Sequence, residues 1–151
     1  MAQAVTLPQR LGLKDGQRVA LLRAPLRIEH RLERDETIRL STSLRAPSIQ
    51  VVVLFVERLS ELERRFVDVV AKMTPDTTFW VAWKKHGSKA TGISSDVVRR
   101  IGRAGGLVDN KNCVLDGGWH GMRLVVREEN RAAIAYRCEP KPAIRRTKRA
   151  S

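Results

Sequence analysis

The sequence predicts a single three-layer α/β domain with a mostly parallel sheet of about five strands and a C-terminal antiparallel hairpin. Three observations lead to this class. Residues 49–56 and 79–83 form two apolar runs of strand length. Between them, apolar side chains recur at helical spacing from Ser60 to Met73. A strand, a helix and a strand in this order predict a right-handed βαβ unit, whose two strands are parallel.

The N-terminal part predicts a short helix, a strand and an insertion. Leu7 to Leu11 fits a helix that ends at Gly12, and residues 18–22 read as the first strand, closed by Pro25. Residues 26–47 mix arginine with glutamate and aspartate and contain few apolar side chains. They fit either a charged surface helix or a mobile loop, with a short strand over 37–40. We therefore expect a solvated insertion there.

The central helix carries its own start and stop signals. Ser60 and Glu63 match the S-x-x-E capping box that marks a helix start, and Pro75 predicts the stop. The apolar side chains of this segment are predicted to form one buried stripe, which comprises Leu59, Leu62, Phe66, Val69, Val70 and Met73.

The C-terminal part predicts another helix, then a hairpin and a tail. The helix begins at an N-cap near Ser94 and runs through Arg103. A fourth strand follows over 107–115, and its polar residues 109–112 suggest a bulge or a strand edge. A turn at 116–118 leads to an antiparallel strand over 122–127. We expect the α/β domain to cover 1–128 and a basic, disordered tail to cover 129–151.

The charge of the chain predicts an anionic partner. Its 151 residues carry a net charge of +13, from 29 Lys and Arg against 16 Asp and Glu. The tail from residue 137 holds +5 of this charge, and its last basic residues are Arg145, Arg146, Lys148 and Arg149. A field of this sign favours nucleic acid, a ribosome surface or acidic lipid. The alternative is a solvated basic surface without a dedicated partner.

The sequence contains no targeting, membrane or catalytic motif that we recognise. No apolar run reaches the length of about 18 residues that a membrane span needs, and the N-terminus lacks a signal-peptide pattern, so we expect a cytoplasmic protein. Cys113 and Cys138 lie outside any metal-ligand spacing and are expected to be reduced thiols. No cofactor or metal is expected, and the sequence favours a non-catalytic protein over an enzyme.

A basic loop after the second strand of the βαβ unit is the first candidate site. Ligands of open α/β sheets bind beyond the carboxyl ends of the strands, and free N–H groups at a helix N-terminus favour anions. The loop precedes a predicted helix, lacks the spacing of a P-loop, and could equally be a solvated lysine-rich loop. Its candidate anion-binding residues are Lys84, Lys85, Ser88, Lys89 and Thr91.

Further side chains are candidates for the cleft at the same strand ends. They are Glu57, Trp83, Asn110, Lys111, Trp119 and Arg123. Glu57 follows a strand, and it could instead cap a helix or pair with Arg58 or Lys84. Trp80 and Trp83 differ by three positions and so point to opposite faces of their strand. Either one is core and the other a half-exposed stacking platform, or both pack in the core.

Two resemblances bear on the fold. The strings at 12–19 and 70–83 and the closing hairpin resemble a class I methyltransferase, which implies a truncated Rossmann-like sheet. The glycine-rich cofactor turn of that family is replaced here by residues 23–27, which contain no glycine. Binding of S-adenosylmethionine in the family's usual way is therefore not expected.

A closer resemblance covers residues 7–127. The chain resembles the bacterial domain-of-unknown-function family 3052, which implies a small α/β domain in a cytoplasmic bacterial protein and no assigned activity. The strings that carry it lie at 11–21, 51–56, 80–85, 95–99, 107–111 and 119–126. The charged insertion and the basic tail are where this chain departs from the family's pattern.

Three functions compete on these grounds. The first is a non-catalytic module that binds nucleic acid or a ribosome surface through the basic loop and tail. The second is a reduced methyltransferase-like enzyme with a nucleotide-like ligand in the strand-end cleft. The third is a regulatory or assembly module that works through protein contacts, which affinity purification with and without nuclease would separate from the first.

Overall fold

One mixed sheet organises the chain. The computed structural model describes residues 7–34, 36–45, 48–84, 92–116 and 118–138. Within them, six strands pair in the order β2-β1-β3-β4-β6-β5. The first four of these are parallel to one another, whereas β6 runs antiparallel to both β4 and β5. The strands are β1 Arg18–Leu22, β2 Arg39–Ser41, β3 Val51–Val56, β4 Thr78–Lys84, β5 Leu107–Asp116 and β6 Trp119–Val126.

Helices cover both faces of this sheet, which confirms the predicted α/β class. In the described residues, the helices are α1 Leu7–Leu11, α2 Leu26–Glu33, α3 Leu59–Lys72, α4 Ser95–Ala104 and α5 Arg131–Cys138. One buried cluster joins the sheet to α3 and α4, and a second joins the opposite face to α1 and α2. Because each face has its own apolar core, the architecture has three layers.

The two central strands are buried on both sides. All six residues of β3 are buried, because α3 packs on one face and α2 on the other. Trp80 and Trp83 of β4 lie on opposite faces, as predicted, with exposed fractions of 0% and 4%. The alternative of a half-exposed tryptophan platform is therefore wrong, and both side chains are core.

The segment 26–47 corrects the sequence analysis. It contributes α2, whose Ile28 and Leu32 are fully buried, and β2, which pairs in parallel with β1. Ile38 between them is also buried. The charged helix and the short strand that the sequence allowed are both present. The segment is nevertheless not a solvated insertion, because two apolar side chains four positions apart suffice to dock a short helix whose other faces are charged.

The start of α3 also differs from its prediction. The helix begins at Leu59, its N-cap is Arg58, and the cap residue makes no side-chain hydrogen bond. Ser60 therefore lies inside the first turn, and the predicted capping box is wrong. The buried stripe is confirmed at Leu62, Phe66 and Val69.

The C-terminal elements agree with prediction up to the end of the hairpin. Ser94 caps α4, since its Oγ accepts a hydrogen bond from the Val97 N–H at 3.3 Å. The register of β5 against β6 shifts between Asp109 and Lys111, which confirms the predicted bulge. Beyond β6, a 3-10 turn and α5 occupy 128–138, so the predicted disorder is wrong there. Residues 139–151 lie outside the described residues.

Candidate functional site

A small cleft opens at the carboxyl ends of β1, β3 and β4. The chain leaves β1 toward β2 on one side and returns through β3 on the other, so this is the switch point where open α/β sheets place ligands. The cavity has a volume of about 240 Å³. Its lining residues are Arg23, Pro25, Phe55, Glu57, Glu61, Lys84 and Trp119.

Arg23 forms the turn between β1 and α2. Its φ is +60°, in the left-handed region that glycine occupies at little cost and other residues rarely adopt. The sequence lacks a glycine at this turn, and the backbone nevertheless takes a glycine-like conformation. The Arg23 side chain then reaches α3, where its Nη2 lies 2.8 Å from Glu61 Oε2.

Glu61 places a carboxylate at the N-terminus of α3. Its Oε1 accepts a hydrogen bond from the Glu57 N–H at 3.1 Å, while Oε2 pairs with Arg23. The Glu61 side chain is only 14% exposed, compared with 45% for Arg23. A helix N-terminus favours negative charge, and here the chain's own carboxylate supplies it. Glu61 thereby ties the β1–α2 turn to α3 across the cleft.

Aromatic side chains form the other wall of the cleft. Lys84 Nζ lies 5.2 Å from the centre of the Trp119 ring, within the range of a cation–π contact. Trp119 is 5% exposed and meets Phe55 edge to face, with ring centres 5.1 Å apart. This packing fixes Lys84 at the mouth of the cleft, where it is exposed.

The structure brings together some of the candidate residues and separates others. Glu57, Lys84 and Trp119 line the same cleft, as the sequence analysis expects. Trp83 instead points into the opposite core, where its ring centre lies 5.0 Å from that of His120. The remaining loop and tail candidates lie outside the described residues: Lys85, Ser88, Lys89, Thr91, Arg145, Arg146, Lys148 and Arg149.

Asn110, Lys111 and Arg123 are not part of this cleft. Arg123 pairs with Trp80 in the sheet register, four positions before Lys84 on β4. At about 3.3 Å per residue, that separation is about 13 Å along the strand. Lys111 pairs with Arg123, so the expectation that these side chains reach the strand ends does not hold. They form a separate group beside α1.

Sequence reasoning missed Arg23, Pro25 and Glu61. An acidic residue in the first turn of a helix is a recognisable signal, and Glu61 could have been chosen on that ground. Nothing in the sequence marks Arg23 as left-handed, since arginine rarely adopts that conformation. Its pairing with Glu61 joins two segments far apart in the chain and becomes visible only in the fold.

The cleft is small, and the charges of its lining side chains balance. Two cations, Arg23 and Lys84, face two carboxylates, Glu57 and Glu61. Among the described residues, no three His, Cys, Asp or Glu side chains lie close enough to hold a metal ion. The helices in that part of the chain are all too short or too polar to cross a membrane.

Comparison with known proteins finds similarity at the level of solved structures. Neither a model of a known protein family nor a curated protein matches the chain. A proposed type 11 methyltransferase from Sulfolobus solfataricus aligns with 82% of this chain and 91% of its own, with 11% identity and a TM-score of 0.47.

LepI aligns as well, in structures that contain S-adenosylhomocysteine with a substrate analogue, or S-adenosylmethionine, and so does a structure described as a pericyclic reaction enzyme. LepI covers 80% of this chain at 10% identity, with TM-scores of 0.44 and 0.43. The present chain spans only 39% of LepI. Because these identities and TM-scores are low, we draw no conclusion from the similarities beyond the strand order described above.

Proposed function

We propose that the protein is a non-catalytic module that binds nucleic acid through the edge of the sheet where the parallel strands end. The observation that carries this proposal is the Arg23–Glu61 ion pair across the switch-point cleft. In a ligand-binding α/β protein this space receives the ligand. Here a guanidinium and a carboxylate of the chain itself satisfy one another there, which favours a surface role for this edge.

Exposed cations on the strand-end loops supply the binding surface. Arg23 and Arg58 follow β1 and β3, Lys84 ends β4, and each is exposed. In the sequence, Lys84 is followed by Lys85 and Lys89. Side chains of this kind contact phosphates without reading sequence. Together with the net charge of +13, this arrangement supports binding of a nucleic-acid backbone.

Salt-dependent binding of labelled oligonucleotides tests the proposal. We expect single-stranded RNA or DNA to bind at low salt, with log K falling linearly against log[salt]. The double variant Arg58→Gln with Lys84→Gln should bind more weakly and lose about 1.4–1.8 from the slope, because each lost phosphate contact removes about 0.7–0.9. Fluorescence anisotropy measures both quantities.

A charge-matched control separates this edge from the charge of the whole molecule. Arg64→Gln with Lys72→Gln also removes two charges, from exposed positions along α3. It should leave the slope closer to that of the wild type. Absence of binding to either oligonucleotide at low salt would refute the proposal. Equal losses in the two double variants would refute a role for this edge.

A second function is an enzyme with a nucleotide-like ligand in the same cleft. The observation that favours it is the cavity of about 240 Å³, with Phe55 and Trp119 on one side and the Glu57 carboxylate on the other. Thermal shift with S-adenosylmethionine and a nucleotide panel tests it, since a ligand at 100 times its dissociation constant adds about 2.7 kcal/mol. A flat response across the panel would rule it out.

Two further proposals rest on the sequence alone. Membership of family 3052 is a proposal supported by the strings at 51–56, 80–85 and 119–126. A cytoplasmic location is proposed because the resemblance to that family implies one. Neither assignment enters the binding experiments above.

A further inference from the structure

Lys111 and Arg123 lie side by side in the sheet, next to Arg10 of α1, on the face opposite α3 and α4. Lys111 Nζ donates to the Arg10 carbonyl oxygen at 3.3 Å, and Arg10 Nη1 donates to the Val114 carbonyl oxygen at 2.7 Å. Arg123 is the register partner of Lys111, and its Nε donates to Asn110 Oδ1 at 2.7 Å. We call Arg10, Lys111, Arg123 and Asn110 the basic cluster.

The basic cluster contains no carboxylate. Within the part of the chain that the structure describes, every ion pair joins other residues. The contrast is clear on β5 itself, where Asp109 points to the other face and pairs with Arg99 at 3.1 Å. Among the described residues, the three cations of the cluster hydrogen-bond only neutral oxygens, so no ion pair there offsets their positive charge.

Helix capping accounts for only part of this arrangement. Lys111 binds a carbonyl near the C-terminus of α1, where a cation is favourable. The next carbonyl, that of Leu11, already accepts the Trp80 indole N–H at 3.2 Å. Capping therefore explains one cation. It does not explain why Arg123 lies beside Lys111 in the sheet register.

The guanidinium groups are held in place and retain free donors. Arg10 and Arg123 are half-buried, and Lys111 is exposed. Gly12 has a φ of +69°, and a Cβ at that position would lie 3.1 Å from Arg123 Nη1, so glycine leaves room for the guanidinium. A guanidinium has five N–H donors and an ammonium three. The bonds described above use one donor on each side chain.

We propose that the basic cluster is a phosphate-binding site. The Arg123 guanidinium offers the planar, two-point hydrogen bonding that phosphate oxygens accept, its register partner Lys111 adds a point charge, and Arg10 adds a third positive charge on the adjacent helix. The phosphate belongs either to a small phosphorylated molecule or to a nucleic-acid backbone. The site is independent of the strand-end edge, since Trp80, the register partner of Arg123, lies about 13 Å from Lys84 along β4.

Titration with phosphate and with an oligonucleotide distinguishes the two sources. We expect saturable binding of inorganic phosphate or pyrophosphate by calorimetry, or of labelled single-stranded RNA by anisotropy. Lys111→Gln and Arg123→Lys should weaken that binding about tenfold or more, because charge-assisted hydrogen bonds are lost. Lys14→Gln removes an exposed charge near the same helix and should change little.

Each result of these titrations either supports or overturns the proposed phosphate site. Loss of phosphate binding in the variants supports the site with a small phosphorylated molecule as its ligand. Loss of RNA binding alone supports it with nucleic acid as its ligand. If Lys111→Gln and Arg123→Lys bind both probes as the wild type does, the proposal is overturned. The Arg58→Gln, Lys84→Gln protein retains the basic cluster, so failure of the strand-end proposal is seen separately.

Discussion

The turn at Arg23 combines a left-handed backbone conformation with an ion pair to Glu61. Its left-handed backbone costs about 1–2 kcal/mol relative to an ordinary conformation. The ion pair with Glu61 is partly exposed, so it returns at most about 1 kcal/mol. The ion pair therefore recovers at best about as much free energy as the strain costs, and the long, charged side chain of Arg23 bridges the cleft.

Two substitutions at Arg23 separate the strain from the ion pair. Both Arg23→Gly and Arg23→Ala remove the pair, but only glycine relieves the backbone strain. After allowing about 0.5–1 kcal/mol for the greater unfolded-state freedom of glycine, we expect Arg23→Gly to remain within about 1 kcal/mol of the wild type. Arg23→Ala should be less stable than Arg23→Gly in urea unfolding. The reverse order would show that the turn is not strained.

Asp109 is the residue whose ionisation the fold controls most clearly. Burial alone would raise the pKa of its carboxyl group, but the hydrogen bond from Arg99, a backbone hydrogen bond and the charges of Arg99 and Arg103 outweigh burial and lower the pKa. In return, Asp109 raises the pKa of the Arg99 guanidinium, first through their hydrogen bond. Asp96 also pairs with Arg99, at 3.0 Å.

The lowered pKa of Asp109 predicts a pH-dependent effect of Asp109→Asn. Ionised Asp109 stabilises the folded state fully above its ordinary pKa of 3.8, and this stabilisation is lost as the pH falls through the lower folded-state pKa. Asp109→Asn should therefore lower the Tm near neutral pH. The difference from the wild type should shrink below about pH 4. A difference independent of pH in thermal melts would contradict this assignment.

The helix starts show how far local sequence signals reach. Ser94 was predicted as a cap and is one, whereas Ser60 was predicted as a cap and lies inside α3. Both sites have suitable residues, and local sequence cannot tell which register the helix takes. The packing of Leu62, Phe66 and Val69 against the sheet selects that register, and it leaves Arg58 at the cap position.

Alanine substitutions at these two serines test the assignment. Ser94→Ala should cost about 1 kcal/mol, because the Val97 N–H loses its acceptor. Ser60→Ala should stay within about 0.5 kcal/mol of the wild type, since no cap is removed. Chemical denaturation measures both differences. If Ser60→Ala lowered the free energy of unfolding as much as Ser94→Ala, the predicted capping box at Ser60 would be supported after all.

The elements that sequence reasoning missed lack a strong periodic signal. The apolar runs of β3 and β4 are predictable because burial on both faces requires them. In contrast, α2 buries two side chains and β2 has three residues, so charged positions dominate their patterns. Within the site, Lys84, Glu57 and Trp119 can be predicted because they lie near strand ends in the sequence. The Arg23–Glu61 pair cannot, because it depends on a contact between distant segments.

At the scale of the whole molecule, the sheet separates two kinds of basic surface. Arg58 and Lys84 lie at its strand-end edge beside the Arg23–Glu61 ion pair, and the basic cluster lies beside α1 on one face. Several other arginines, on α4 and near α5, are paired with carboxylates. The positive charges behind the net charge of +13 are therefore paired with carboxylates in some places and not in others. The geometry of the sheet determines where the unpaired cations lie.

This excess positive charge predicts that salt stabilises the isolated protein at low ionic strength. Between about 0.01 M and about 0.1 M salt, the Debye length falls from about 30 Å to about 10 Å, which screens repulsion among distant cations more than it weakens close ion pairs. The Tm should therefore rise with NaCl over this range, and less steeply for the Lys111→Gln variant, which has one charge fewer. A Tm that falls with NaCl would mean that surface ion pairs such as Arg23–Glu61 outweigh the net repulsion.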